Sequence, residues 1–441
     1  MTFAIALQFA VVLAAIWMGA RYSGVGLGLW GAVGLLVLVV AFGVKPTSPP
    51  VDVMLIILAV IMAASVMDAV GGIDFLVRVA ERIIRANPKY VTIVAPLITW
   101  SFSFVAGTGH IVYPLLPVIY ETAHQSGIRP ERPMAVATIA SQQAITASPV
   151  AAATAAMIGL FAEKGITQFG LPQILMICVP ATLTGVLVAA LVSMFIGKDL
   201  KDDPEYQTRL AAGQIPAPKA IAERAPLAPA AKQSAYLFLA GVALVVLFGF
   251  FPALRTLPGA KGPLDMPIVI EIVMMSVAAI MLAVTKINVD EVPKTATLRA
   301  GVVAVIGIFG LAWLGDSFIA AHKDVIVPAI GKWAQAAPWT FAFGLFFASV
   351  LLYSQAATTR ALMPLGIALG IPPQFLIAMF PSVNGYFFIP TYGSLIAAIN
   401  FDLSGTTRIG KYVLNHSFMI PGLVATSVAV VTGLAIARGI F

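Results

Sequence analysis

Apolar stretches in each half of this chain are interrupted twice by short runs of small polar residues that are followed by a proline. In the first half the interruptions cover residues 106–114 and 141–149, and in the second half they cover residues 354–364 and 382–390. The second interruption has the same length in both halves, and several residue types of the first recur at matching spacing. A duplicated pattern of this kind predicts two structurally related halves whose broken helices meet at one shared site.

The composition of the chain indicates an integral membrane protein. Hydrophobic residues make up 60% of the chain and charged residues 10%, whereas about a quarter of the residues in a soluble domain are charged. Several apolar runs are long enough to cross the hydrocarbon core of a bilayer, which requires about 20 residues. These runs cover residues 3–19, 22–43, 51–70, 172–197, 234–252, 266–286, 296–314 and 412–438.

The sequence also argues against several other classes of protein. The net charge of +7 is attributed to cytoplasmic loops, and we expect no nucleic-acid partner. The single cysteine, Cys178, excludes an intrachain disulfide and a cysteine metal cluster. The histidine and glutamate spacing of a zinc protease is absent from the sequence. We therefore expect neither an enzyme nor a cofactor or bound metal, and we read the glycine-rich residues 24–34 as a site of close helix packing.

Charge distribution predicts the orientation of the chain. Residues 198–233 form a long polar stretch with six basic residues, and it reads as a cytoplasmic linker because basic loops stay inside. Counting back from it, residues 1–197 cross the membrane about five times. Within them, residues 86–125 form a re-entrant hairpin and residues 133–162 a broken helix.

The second half has the same predicted organisation. Residues 234–441 also cross about five times, with a hairpin at about 338–370 and a broken helix at about 374–400. Because five is an odd number, the two repeats have inverted topology and both termini lie outside. The predicted fold class is therefore an all-α polytopic membrane protein with two inverted repeats.

The interruptions have a chemistry of their own. Irregular backbone at membrane depth is tolerated only where it is buried in protein or lines a wet cavity. A helix that starts there presents free N–H groups and a partial positive charge, which favours an anion such as a carboxylate. The candidate binding residues at the interruptions are Gly107, Thr108, Gly109, His110, Thr146, Ser148, Ser354, Gln355, Thr358, Thr359, Arg360, Ser382, Asn384 and Thr391.

Two of these candidates have a structural alternative. Arg360 is the only basic residue that the predicted topology places at membrane depth, where a charge is a functional-site candidate by default. Its guanidinium could hold a carboxylate through two parallel hydrogen bonds, or it could extend to the outer surface or pair with Asp316. His110 could titrate near neutral pH with coupled protons, or it could be a hydrogen-bonded structural residue.

A charged cluster lies on the cytoplasmic side of the first predicted hairpin. Glu81, Arg85 and Arg129 belong to it. One interpretation gives them an entrance role, in which the cluster concentrates anions by electrostatic focusing. The alternative is a solvated basic loop that only marks the cytoplasmic side.

Motifs along the whole chain resemble those of a known family. They are PPVDVM at 49–54, NPKYV at 87–91, GTGH at 107–110, IRPERP at 128–133, ITASP at 145–149, SQAA at 354–357, PTY at 390–392 and SGTTRIG at 404–410. With these motifs the chain resembles the Dcu family of bacterial anaerobic four-carbon dicarboxylate transporters, of the DcuA and DcuB type. Arg360 stands where DcuA-like sequences are expected to have lysine, a change that keeps the charge but alters carboxylate geometry.

The resemblance implies a function and an architecture. It implies fumarate, succinate, malate and aspartate as substrates, with external fumarate or aspartate exchanged for internal succinate across the bacterial inner membrane. It also implies a fold of the ion-transporter superfamily type, with a scaffold domain and a mobile transport domain. From these we expect a homodimer and an elevator-type motion, and for some members a sensor kinase partner.

Other functions are compatible with the same pattern. A dicarboxylate symporter coupled to protons or sodium is the main alternative, because backbone carbonyls at helix breaks also bind sodium. An anion channel would belong to a different class, and it would require a ring of pore-lining charge. A third alternative is a membrane co-regulator of a sensor kinase.

Overall fold

The computed structural model describes residues 3–22, 24–215, 226–260, 262–352 and 354–440. Within these ranges the regular secondary structure is helical, and the only β-type pairing is one isolated bridge between Ile409 and His416. The predicted all-α fold class is thereby confirmed. Lys219 and Arg224 of the predicted linker lie outside the described residues.

The first half of the chain consists of long helices followed by shorter ones in pairs. They are α1 (Phe3–Tyr22), α2 (Gly26–Phe42), α3 (Val51–Val70), α4 (Gly72–Ala86), α5 (Val91–Ala106), α6 (Val112–Gln125), α7 (Glu131–Gln143), α8 (Ala152–Glu163) and α9 (Leu171–Ser193). A short helix, α10 (Pro204–Ala211), follows within the linker.

The second half repeats this order. Its helices are α11 (Pro229–Phe250), α12 (Met266–Thr285), α13 (Ala296–Gly307), α14 (Trp313–Ala336), α15 (Phe341–Leu352), α16 (Gln355–Ala368), α17 (Pro373–Met379), α18 (Gly393–Phe401) and α19 (Met419–Ile440). A π-helical turn, Ile308–Ala312, joins α13 to α14.

Seven helical segments among the described residues are long and apolar enough to cross a membrane. They are Val51–Val70, Pro88–Ala106, Leu171–Ser193, Pro229–Phe250, Met266–Thr285, Ala296–His322 and Met419–Ile440. The predicted runs 3–19 and 22–43 correspond to the shorter apolar helices Phe3–Gly19 and Gly26–Phe42. The chain is a multi-pass membrane protein.

The last span begins later than the sequence predicts, at Met419 instead of residue 412. The reason is the loop that precedes it, in which Ile409 and His416 form the isolated β-bridge. The backbone N–H of Gly410 donates to the carbonyl oxygen of Asn415 at 2.6 Å, and that of Ser417 donates to the carbonyl oxygen of Arg408 at 3.1 Å. These bonds occupy backbone groups that a helix starting at residue 412 would need.

Each half contains a helix pair that reverses direction at a tight tip. Helix α5 ends where Gly107 adopts a φ of +68°, a conformation that disfavours other residue types. Helix α16 begins with Ser354 as its N-cap, whose hydroxyl accepts a hydrogen bond from the backbone N–H of Ala357 at 3.2 Å. We call the pair α5 and α6 the first hairpin and the pair α15 and α16 the second hairpin.

Each half also contains a broken helix. Helix α7 passes into a 3-10 turn, Ala144–Thr146, and the helical path resumes at α8. Helix α17 passes into a longer 3-10 segment, Phe380–Phe387, before α18. These two breaks fall at the second interruption of each half of the sequence.

Close backbone packing joins α2 to the π-helical turn. A Cβ atom added to Gly28 would lie 1.9 Å from the carbonyl oxygen of Ile306, and one added to Gly310 would lie 1.7 Å from that of Gly28. Only glycine permits this approach. The predicted packing role of the glycine-rich segment is confirmed.

Candidate functional site

Both hairpin tips and the first helix break line one cavity of about 430 Å³, which we call the tip cavity. Gly107, Thr108, Gly109 and His110 of the first tip line it, as do Ser354 and Gln355 of the second. The first break and its flanks contribute Gln142, Ile145 and Val150, and Tyr392 comes from the segment between the second break and α18. Helix α13 contributes Thr297, Arg299, Ala300, Gly301 and Ala304. Six of the predicted binding residues are therefore placed at one cavity.

A network of side-chain amides ties the second hairpin to both breaks. Nε2 of Gln355 donates to Oε1 of Gln142 at 2.8 Å and to Oδ1 of Asn384 at 3.2 Å. Nδ2 of Asn384 lies 3.4 Å from Oε1 of Gln143, whose own Nε2 donates to the hydroxyl of Thr426 on α19 at 2.8 Å. Gln142, Gln143 and Asn384 are each about 1% exposed, so the bonds form away from bulk water.

The first hairpin tip rests directly on this network. A Cβ atom added to Gly109 would lie 2.2 Å from Nε2 of Gln142, and one added to Gly107 would lie 2.7 Å from the carbonyl oxygen of Val150. These distances are far shorter than van der Waals contact, so glycine is required at both positions. The sequence predicts close backbone approach at these glycines, but it does not indicate which residues approach them.

Hydrogen-bond donors at the cavity come mainly from the tips. The start of α16 leaves its first backbone N–H groups without partners inside the helix, and Gln355 and Ala356 both line the cavity. At the first tip, the hydroxyl of Thr108 accepts a hydrogen bond from the N–H of His110 at 3.2 Å. The positive end of α16 therefore faces a cavity with hydroxyl and amide groups around it, as carboxylate binding requires.

Several predicted binding residues lie near the cavity without lining it. The hydroxyls of Thr358 and Thr359 bond carbonyl oxygens one turn back in α16, at 2.8 and 2.7 Å. Thr146 donates to the carbonyl of Gln143 at 3.0 Å, and Ser148 accepts from the N–H of Val150 at 3.3 Å. Their side chains therefore stabilise local backbone. Ser382 is buried in the second break and Thr391 is exposed beside Tyr392.

Arg360 lies in the body of α16 instead of at the hairpin tip, because the helix already begins at Gln355. Its Nη1 is 2.9 Å from a carboxylate oxygen of Glu163 and its Nη2 is 3.1 Å from one of Asp316. The side chain of Arg360 is only 1% exposed. Pairing with Asp316 is the alternative that the sequence left open, and in this conformation the guanidinium is occupied by protein carboxylates.

The Arg360 ion triad, which consists of Arg360, Glu163 and Asp316, lies at a second cavity of about 800 Å³, which Glu163 and Asp316 line. Each of its members belongs to a helical path that lines both cavities. Along α16, Gln355 lines the tip cavity, Arg360 follows, and Pro364 lines the second cavity. The triad therefore joins three helical paths at the second cavity.

The mouth of the tip cavity contains a basic residue that was not among the predicted binding residues. Arg299 lines the cavity near the start of α13 and is exposed. Beside it, the hydroxyl of Thr297 donates to a carboxylate oxygen of Asp68 at 2.8 Å. His110 lines the same cavity and is also exposed. No interruption of the apolar pattern marks α13, so the sequence pattern does not indicate Arg299 as a binding residue.

The predicted entrance residues form ion pairs away from the tip cavity. Arg85 bonds Glu81 at 3.0 Å and Glu121 at 2.9 Å. Arg129 pairs with Glu131 at 2.6 Å and also with Asp203 of the linker. Arg129 is 7% exposed. These pairs connect α4 to α6 and the start of α7 to the linker, and their charges are largely compensated.

The chain matches a known family of membrane transporters along nearly its whole length. The family described as "Anaerobic c4-dicarboxylate membrane transporter" matches residues 4–441. The chain is 42% identical to the C4-dicarboxylate transporter DcuA of Escherichia coli (strain K12), over 97% of this chain and 98% of that protein. It is 41% identical to DcuA of Wolinella succinogenes, over 98% of both chains.

A further relative and a solved structure extend the comparison. The anaerobic C4-dicarboxylate transporter DcuB of Escherichia coli O6:H1 is 38% identical over 97% of both chains. The crystal structure of the Alcanivorax borkumensis YdaH transporter, which is described as having an unusual topology, aligns with a TM-score of 0.57 and 14% identity. That alignment covers 99% of this chain and 98% of the other, so the similarity in fold extends from end to end.

Proposed function

This chain belongs to the anaerobic C4-dicarboxylate membrane transporter family, and we propose that the dicarboxylate binds in the tip cavity. The observation that carries the proposal is that both hairpin tips and the first helix break line that one cavity, and that Asn384 of the second break is hydrogen-bonded to the cavity residue Gln355. Paired breaks in two repeats are the usual place for a transporter's substrate site. A cavity of about 430 Å³ also falls within the usual size of small-molecule sites.

The proposed transport cycle is exchange. External fumarate or aspartate enters, internal succinate leaves, and malate is a further substrate. The inner face of the site is provided by a helix start and by neutral amides and hydroxyls, with Arg299 at the mouth. Neutral donors of this kind bind a dianion without burying a permanent counter-charge, which suits a site that must release one dianion before it takes another.

The proposed mechanism is an elevator-type movement of the hairpins and broken helices against α13 and α14. The two cavities support it, because the three helical paths that the Arg360 ion triad joins line both of them, and the triad itself lies at the second. With the linker in the cytoplasm, the tip cavity opens inward and the second cavity opens outward. The triad would then close the outward path in this conformation, and alternating access would require it to move as the second cavity joins the site.

The proposed setting is the bacterial inner membrane. The termini lie in the periplasm, residues 198–233 form the cytoplasmic linker, and the two repeats, 1–197 and 234–441, have inverted topology. A homodimer is proposed from the fold type, and a sensor kinase is proposed as an additional partner of the cytoplasmic face. The basic side chains that pair with linker acids, such as Arg129 with Asp203, would mark that face.

A liposome assay tests the exchange and the site together. Purified protein is reconstituted with trapped unlabelled succinate, and uptake of labelled fumarate is measured against vesicles without succinate. We expect uptake to depend on the trapped succinate. Uptake into succinate-free vesicles that follows a proton or sodium gradient would instead establish a symporter, and uptake without saturation would indicate a channel.

A cavity-filling variant tests the location of the site. Ala356→Trp places a large side chain at the second tip, where Ala356 lines the cavity. Leu36→Trp is the matched control, because Leu36 is 61% exposed on α2. We expect the first variant to lose uptake and the control to keep it. Equal uptake by both proteins would exclude the tip cavity as the binding site.

A further inference from the structure

We infer that Gln142 is a substrate-contacting residue that donates a hydrogen bond through Nε2 to one carboxylate of the substrate, and that Asn384 and Gln143 are positioning residues that fix its orientation. The inference rests on the proposed function, because it takes the tip cavity as the dicarboxylate site. It adds Gln142 and Gln143 to that site, which neither the sequence prediction nor the family comparison assigns, and it gives the predicted residue Asn384 a positioning role. It also predicts which chemical groups the site accepts.

The orientation of every amide in the network follows from one backbone carbonyl. Nδ2 of Asn384 lies 3.2 Å from the carbonyl oxygen of Pro381, which can only accept. The amide nitrogen of Asn384 must therefore point to that side and to Gln143, and its Oδ1 must point to Gln355. Because Oδ1 can only accept, the group of Gln355 that faces it is the donor Nε2.

The same polarity continues to both ends of the network. Since Nε2 of Gln355 also faces Gln142, the oxygen of Gln142 is the accepting atom at that contact. On the other side, Oε1 of Gln143 accepts from Asn384, which leaves its Nε2 to donate to Thr426. Each amide is oriented by its neighbour, and reversing one of them would place two donors or two acceptors face to face.

At the cavity, the network fixes the position of one hydrogen-bond donor. Oε1 of Gln142 is occupied by Gln355, so its Nε2 group faces Gly109 and the cavity that both residues line. In the hydrogen bonds given for the described residues, Gln142 takes part through Oε1, and its Nε2 is not a donor in any of them. An amide donor that is held in this way at the cavity matches a ligand that offers only acceptors, as an ionised carboxylate does.

The geometry also explains why glycine is needed at the first tip. The absence of a side chain at position 109 allows Nε2 of Gln142 to approach the tip backbone closely. A carboxylate in the cavity can then contact Gln142 together with the backbone N–H groups at the start of α16. Two donors from different elements would hold one carboxylate. Tight binding of the substrate would therefore require the second hairpin and the first broken helix to keep this relative position.

The experiment measures uptake of labelled fumarate by Gln142→Glu, Gln142→Met and Asn384→Asp in succinate-loaded liposomes, with KM and kcat determined separately. Gln173→Glu is the matched control, because Gln173 caps the start of α9 and is not part of the network. We expect Gln142→Met to raise KM roughly 10- to 100-fold, the effect of losing one hydrogen bond to a charged group. Asn384→Asp should raise KM by a smaller factor, and the control should match the original protein.

A change of substrate preference separates contact from mere structural support. Gln142→Glu replaces the donor with an acceptor, so it should reject the dicarboxylate but lose less affinity for succinamate, whose amide can donate to the new carboxylate. Competition of labelled fumarate uptake by succinate and by succinamate gives the ratio of the two affinities. A ratio that moves toward succinamate by tenfold or more supports the inference. An unchanged ratio in a protein that still elutes as a single folded species would overturn it.

The cavity-filling variant Ala356→Trp distinguishes this inference from the proposed site. If Ala356→Trp abolishes uptake while the Gln142 variants keep the original KM and preference, the site stands and the role of Gln142 is wrong. If neither position affects uptake, the tip cavity is not the site and both proposals fail.

Discussion

The guanidinium of Arg360 on α16 and the carboxylate of Asp316 on α14 are 3.1 Å apart at their nearest charged atoms, and Asp316 lines the second cavity. Glu163, at the end of α8, completes the triad at 2.9 Å. An arginine with these partners is neither an exposed surface charge nor a free anion site. The bond instead links the second hairpin to the helix that follows the π-helical turn.

Removing Arg360 should destabilise the protein and weaken the closure of the outward path that we propose for the ion triad. Arg360→Met leaves the buried carboxylate of Asp316 uncompensated, and breaking a buried ion pair from one side costs about 3–5 kcal/mol. We expect a lower midpoint of thermal unfolding in detergent, measured by the loss of the monodisperse species after heating. The double variant Arg360→Met with Asp316→Leu should recover part of that loss, because it removes both charges.

Arg360→Lys provides the control for charge alone. Lysine keeps the positive charge but cannot bond two carboxylates through a planar fork. Its unfolding midpoint should therefore lie between those of the original protein and Arg360→Met. An Arg360→Met protein as stable as the original would show that the triad contributes nothing to the closed conformation.

Gly109→Ala should impair transport with little effect on the rest of the fold. The added Cβ would lie 2.2 Å from Nε2 of Gln142, so the tip or the glutamine must shift, at a cost of about 1–3 kcal/mol for overpacking. We expect fumarate uptake to fall by a factor of ten or more. Gly344→Ala on α15 is the control, because a Cβ there has no neighbour within 4 Å among the described residues. Normal uptake by Gly109→Ala would mean that the tip does not need this close contact.

The order of elements could be predicted from the sequence because it depends on local signals. Gly107 ends α5 and Ser354 caps α16 through properties of those residues alone. Asp316 was one of the alternatives considered for Arg360, but Glu163 was not, because it is 197 residues away in sequence and reaches Arg360 only through tertiary packing.

The candidate site could likewise be predicted from the sequence only in part. The interruptions mark both tips and both breaks, and they therefore indicate Gln355 and Asn384. They do not reveal that Gln142 joins these residues, because an uncharged glutamine in a polar segment carries no signal of its own. Arg299 was missed for the opposite reason: its charge resembles that of any cytoplasmic loop, and only the packing of α13 places it at the cavity.

The linker helix α10 should undock when its ion pair is weakened. Burial alone would raise the pKa of Asp203, but hydrogen bonds from Arg129 and from the N–H groups of Tyr206 and Glu205 outweigh it and lower that pKa. A depressed pKa contributes stability above the unfolded value of about 3.9, and that contribution is lost as the pH falls through the folded value. At neutral pH the linker should therefore stay docked, and protection of α10 should fall only in acid.

Two substitutions at Asp203 separate the ion pair from the helix cap. Asp203 accepts from the N–H of Glu205 at 3.0 Å, as an N-cap does. Asp203→Asn keeps a capping oxygen and removes the charge, whereas Asp203→Ala removes both, with about 1 kcal/mol lost from the cap. Hydrogen exchange of α10 at pH 7 should increase in the order original, Asp203→Asn, Asp203→Ala. Equal exchange in all three would show that Arg129 does not hold the linker through Asp203.

A reversible crosslink between α14 and α16 should arrest transport if the second hairpin moves against α14. A Cβ atom added to Gly315 would lie 3.8 Å from the Cα of Ala361, so Gly315→Cys with Ala361→Cys places two thiols at disulfide range. The native Cys178 is fully buried and does not compete. We expect oxidation to stop fumarate–succinate exchange and reduction to restore it, while each single cysteine variant transports under both conditions. The proposed elevator-type motion requires the contact between Gly315 and Ala361 to change during the cycle, since it assigns these residues to elements that move relative to each other. Full exchange by the oxidised double variant would therefore place α14 and α16 in one rigid body and would require a different moving element.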